Sequence, residues 1–140
     1  VCCITDSFYE EHLLLTGSYD EYLRIWDKRN MQKPMDSLKF EDGVWRIKWN
    51  PNQQTGNKIL IATMRDHFNI VRVEEETKKL TRLYCYEQHF TNYPRTKTKG
   101  QDKNDEEELD ILAYGCDWST TNWVASCSFY DKQFHCWKSS

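Results

Sequence analysis

His67 directly follows Asp66, and an imidazole beside a carboxylate can be oriented to take a proton from water as a general base. Arg46 follows Trp45, and a guanidinium there could steady negative charge developing on an oxygen. Ester chemistry by familiar routes is not written in the chain. It has no Gly-x-Ser-x-Gly nucleophile elbow and no His-Glu-x-x-His zinc helix. The six cysteines (Cys2, Cys3, Cys85, Cys116, Cys127 and Cys136) form no Cys-x-x-Cys pair and no ligand spacing with the four histidines. They read as buried, reduced thiols acting as small hydrophobes, so the chain calls for no metal and no cofactor. Plainer structural readings stand beside the chemical ones: His67 as a solvated turn residue, and Arg46 as the partner of an acidic neighbour.

The elements that must carry these residues are strands. Leu23 and Ile25 alternate with Arg24, and Phe134 and Cys136 alternate with His135, a period of two. Polar clusters such as Ser18-Tyr19-Asp20-Glu21 and Asn50-Pro51-Asn52 separate the apolar runs, and no helical stripe is sustained. Three stretches repeat one plan of short strand, polar turn, apolar strand, Asp-bearing turn and second strand. They open at Val1, at Val44 and at Ala113. The first two openings lie about one 40–45-residue blade repeat apart. The third comes later, and the polar stretch 87–110 absorbs the excess. That stretch is too poor in apolar residues to offset its ordering entropy, so it is expected to be a disordered surface insertion.

The unit Thr16-Gly17-Ser18-Tyr19-Asp20-Glu21-Tyr22-Leu23-Arg24-Ile25-Trp26-Asp27 carries the WD-repeat signature, and Ser128 through Trp137 repeats it. The middle unit keeps Asp66 in the turn but has Val71 in place of Trp. The fold expected is all-β, a WD40 β-propeller fragment of about three blades: 1–40, 41–86 and, after the insertion, 111–140. Propellers have 4–8 blades. Val1, set within an apolar run, therefore reads as the start of a piece lacking its amino-terminal blades. In a propeller the turns between second and third strands share a face with the openings of the first strands. Trp45, Tyr114 and Cys2 hold equivalent opening positions on that face. Asp20, Asp66, His67 and Asp131 lie in its turns, where Asp20 and Asp131 also suit the structural role of satisfying turn donors.

Composition narrows the partners. Nineteen Lys and Arg against 22 Asp and Glu leave a net charge of −3, a poor match for nucleic acid. No apolar run approaches the ~18 residues of a membrane span. Six Trp and an aromatic share of 14% argue for a packed domain rather than a disordered segment.

Three segments go beyond a generic WD repeat: Thr16 to Glu21 with Trp26 to Met31, Gly43 to Trp49, and Tyr114 to Ser119 with Ser126 to Asp131. Together they resemble the carboxyl-terminal half of the WD-repeat diphthine methyl ester hydrolases, also called diphthine methyltransferases, over nearly all the chain outside the insertion. The resemblance implies a cytoplasmic enzyme that removes a methyl ester from the modified histidine of elongation factor 2, in diphthamide biosynthesis. It also implies a trimethylammonium group on the substrate, which aromatic faces and carboxylates hold well. On that basis Trp45 and Tyr114 are expected to cage the cation, Asp20 and Asp131 to add negative field, and His67, Asp66 and Arg46 to serve the hydrolysis. The other readings are a non-catalytic WD-repeat scaffold that docks protein partners through the same face and, third, an adaptor for ubiquitin transfer.

Overall fold

The computed structural model describes residues 1–52, 54, 56–65, 67–88, 112–129 and 132–139. Asp66, Asp131 and the insertion from 89 onward lie outside the described residues. Eleven strands are formed among them: β1 (Cys3–Asp6), β2 (Leu13–Gly17), β3 (Tyr22–Asp27), β4 (Asp36–Lys39), β5 (Val44–Trp49), β6 (Lys58–Thr63), β7 (Phe68–Val73), β8 (Leu80–Tyr86), β9 (Ala113–Trp118), β10 (Trp123–Ser128) and β11 (Phe134–Lys138). They make three antiparallel meanders, β1–β4, β5–β8 and β9–β11. No described helix is long and apolar enough to cross a membrane.

The sheets stack face to face because the middle one is apolar on both sides. In β6 every residue is buried. Ile59 and Ile61 join Leu13, Leu15, Leu23 and Ile25 in one core. Leu60 and Ala62 join Val124, Trp118 and Trp137 in the other. Successive side chains of a strand point to opposite faces, so one short apolar run supplies both interfaces. The first strands lead the stacking: β5 packs on β1 and β2, and β9 packs on β5 and β6. Polar bridges tie the same seams. Trp118 Nε1 donates to the Lys48 carbonyl at 3.1 Å, and the Leu80 amide donates to Asp36 at 2.7 Å.

The WD tryptophans reach across their own sheets. Trp26 Nε1 donates to Thr16 Oγ1 at 2.9 Å, and Trp137 Nε1 donates to Ser126 Oγ at 3.1 Å. The strand registers place Ile61 and Val71 at the matching positions of the middle sheet. There both halves of the polar pair are replaced together by apolar residues, a change that leaves no buried donor stranded.

The turns repeat too. Glu21, His67 and Lys132 each follow the turn Asp of their unit, and each has positive φ (73°, 64° and 55°). Asp20 Oδ1 accepts from the Tyr22 amide at 3.2 Å, closing the first of these turns. A short polar side chain that bonds backbone two residues on favours such a turn.

Candidate functional site

Trp45 and Tyr114 are placed by a matched irregularity. In the middle sheet Val44 pairs with Thr63 and Arg46 with Ala62, so Trp45 is an extra residue without a cross-strand partner. In the third sheet Ala113 pairs with Ser128 and Gly115 with Cys127, leaving Tyr114 extra in the same way. Both strands open with a backbone bond to the preceding sheet: Val44 N–H donates to the Ser18 carbonyl at 2.9 Å, and Ala113 N–H to the Met64 carbonyl at 2.7 Å. Each bond pins the first residue of the strand while the ladder resumes two residues later. The intervening residue bulges, and a bulge re-aims its side chain.

The two bulges bring Trp45 and Tyr114 together, with ring centroids 5.9 Å apart and planes 33° from parallel. Tyr19 meets Trp45 edge-on at 6.1 Å, and Phe129 lies 5.7 Å from Tyr114. Neither Tyr19 nor Phe129 is among the residues anticipated from sequence. The repeat carries the signal that would have found them, since Tyr19 follows Ser18 and Phe129 follows Ser128 at the same point of the two clear WD units. Gly43 lets the Tyr19 turn close on β5: a Cβ there would sit 3.3 Å from Tyr19 Cα and 3.1 Å from Met64 Sδ.

Arg46 joins this group. Its guanidinium carbon lies 6.0 Å from the Trp45 ring and 6.0 Å from the Tyr114 ring, near the outer limit of a cation–π contact. The side chain is exposed and has no ion pair among the described residues. Neighbouring cations at the same end of the sheets are paired: Arg24 with Asp20 at 2.8 Å, Lys39 with Glu21 at 3.2 Å and Arg65 with Asp42 at 3.4 Å. Asp20 therefore spends its charge on Arg24, and that bond holds its carboxyl below the usual carboxylate range. His67 sits half-buried in the turn between β6 and β7. Its carbonyl accepts from Thr63 N at 3.1 Å and from Thr63 Oγ1 at 2.9 Å, so its backbone serves the turn.

Below the rim the first strands line a groove of about 440 Å³ that includes Cys3, Ile4, Phe8, Arg46, Lys48 and Trp118. Burial pushes the Cys3 thiol up to about 11 and the Cys116 thiol up to about 12, so neither offers a thiolate near neutral pH. No group of three metal-ligating side chains occurs among the described residues.

Comparison with known proteins gives these features a setting. The WD domain, G-beta repeat family matches residues 1–27. A chain from a crystal structure of the mitotic checkpoint complex superposes with a TM-score of 0.65 at 12% identity, over 97% of this chain and 35% of that one. The chain is thus a WD-repeat β-propeller segment. The Homo sapiens diphthine methyltransferase is 34% identical over 85% of this chain and 22% of its own length. The Dictyostelium discoideum diphthine methyltransferase homolog is 35% identical over 91% of this chain and 32% of its own length. The chain belongs to the WD-repeat diphthine methyltransferase family, and it spans between a fifth and a third of these relatives.

Proposed function

We propose that this chain supplies part of the working rim of a propeller that hydrolyses a methyl ester on the modified histidine of elongation factor 2, a step of diphthamide biosynthesis in the cytoplasm. The observation that carries the reading is the pair of matched bulges, which converge Trp45 and Tyr114 with Arg46 beside both. Two aromatic faces suit a trimethylammonium group, which must displace Arg46 from a contact already at its outer limit. The displaced guanidinium is then available to the ester carbonyl. Water attacks that carbonyl, His67 oriented by Asp66 accepts the water proton, and Arg46 stabilises the tetrahedral oxyanion. Collapse expels methoxide, which takes the proton from His67 and leaves as methanol, and the new carboxylic acid gives its remaining proton to solvent to become the carboxylate. Asp20 and Asp131 would shape the field around the cation, Asp20 only in part because Arg24 shares its charge.

The test is ester release from methyl-esterified elongation factor 2, read by mass spectrometry as loss of one methylene's mass. His67→Gln is expected to lower kcat by about 10²-fold or more. Trp45→Ala is expected to raise KM with a smaller change in kcat. Unchanged turnover in both variants would overturn these assignments. Binding of the factor without any turnover would favour the non-catalytic scaffold.

A further inference from the structure

We infer that the rim formed by Tyr19, Trp45, Tyr114 and Phe129 takes an extended peptide segment that presents a carboxylate between two apolar side chains. The inference goes beyond the proposed reaction and needs no ester. Its first ground is spacing. The four rings follow one another along the rim at 6.1, 5.9 and 5.7 Å. An extended chain repeats side chains on one face about every 6.4–6.8 Å, close enough for alternate residues to lie on successive rings. The second ground is exposure. Tyr19 is 62% exposed, Tyr114 40% and Phe129 60%, and large rings left open in a row on a folded surface mark a contact site.

The third ground is charge, and it selects the occupant. Arg24, Lys39 and Arg65 at this end of the sheets each hold a carboxylate. Arg46 holds none among the described residues, and it stands beside the middle of the row, equidistant from Trp45 and Tyr114. Its exposed guanidinium, 6.0 Å from both rings, keeps its fork of N–H donors open, and that fork matches a carboxylate bidentately. An acidic side chain at the centre of the segment meets Arg46, and apolar side chains two residues to either side lie over the aromatic row. Phosphate-rich polymers fit less well, because the chain as a whole carries net charge −3.

Fluorescence anisotropy on the full protein tests this with a dye-labelled peptide bearing Leu-Ser-Glu-Ser-Leu and its central Gln, Lys and trimethyl-lysine versions. The Glu peptide is expected to bind about tenfold or more tighter than the Gln peptide, as a charged hydrogen bond requires, and the Lys peptide to bind weakest. Arg46→Gln is expected to abolish the Glu-over-Gln preference, Phe129→Ser to weaken both peptides, and Arg72→Gln to change nothing. The same preference in the unsubstituted protein should shrink as salt is raised, a reading that does not depend on any variant folding. Equal binding of the Glu and Lys peptides, or no binding of any peptide, would overturn the inference. Tightest binding of the trimethyl-lysine peptide would overturn it too while supporting the cation cage. Ester turnover is measured separately, so failure here leaves the proposed reaction standing or falling on its own assay.

Discussion

Trp26 and Trp137 spend their indole N–H groups on hydroxyls one strand away, and the middle sheet does without the pair by carrying Ile61 and Val71. Trp137→Phe keeps most of the ring packing against Tyr86, stacked at 4.4 Å, but removes the donor to Ser126. A loss of about 1–2 kcal/mol is expected in urea unfolding. The thiols give a pH prediction. Unfolded thiols ionise near about 8.5, whereas burial in the fold holds Cys3 and Cys116 protonated up to about 11 and about 12. Above the unfolded value the unfolded chain binds fewer protons than the native one. Stability is therefore fully present below that pH and falls as pH rises from about 9 through the folded values. Cys116→Ser should flatten the alkaline slope measured by denaturant titration. At pH 8 iodoacetamide should label the exposed Cys136 before half-buried Cys3 or Cys116. Their apolar neighbours in sequence predict buried cysteines; in the fold Cys3 and Cys116 are half-buried against the two cores and Cys136 is exposed, because strand alternation and sheet edges leave part of each apolar run uncovered.

At the scale of elements, the strands and their order were readable, because alternation and turn clusters are local properties. The run Ile59-Leu60-Ile61-Ala62 is apolar throughout, and only a strand covered on both faces can bury it all. The bulges were not readable. Nothing in Val44-Trp45-Arg46 distinguishes an alternating strand from one with an extra residue, since the cause is a hydrogen bond to Ser18 on another sheet. The same seam explains a glycine. A Cβ on Gly17 would come within 2.5 Å of Val44 Cγ1 and 2.8 Å of the Val44 carbonyl. Gly17→Ala must push β5 away just where Trp45 bulges. It is expected to cost about 1–3 kcal/mol, read as a lowered Tm, and to reduce binding at the rim beyond what stability alone explains.

In the whole molecule, stability is carried by neighbouring sheets in series, so damage should stay local to a seam. Ile61 faces the first sheet and Leu60, its neighbour in sequence, faces the third. Each truncated to Ala is expected to cost about 2–5 kcal/mol. Hydrogen exchange should separate them: Ile61→Ala should speed exchange of β2 and β3 amides, and Leu60→Ala that of β9 and β10. Equal acceleration of both outer sheets by either variant would show the three sheets unfolding as one unit instead.

The strands, the meander repeat and the WD turns were determined by the sequence alone, because period-two patterning and an Asp before a left-handed residue act within a few positions. The likeness to diphthine methyltransferases was legible for the same reason, being carried by short motifs. The assembly of the rim was decided only in three dimensions. Tyr19, Trp45, Arg46, Tyr114 and Phe129 come from all three repeats, and their convergence depends on how sheets stack and where inter-sheet bonds force a residue out of the ladder. Likewise Asp20 reads from the sequence as a charge for a ligand, whereas Arg24, four residues on in the strand that the turn leads into, holds it. Local patterning decides which elements form, whereas contacts between elements decide which side chains meet.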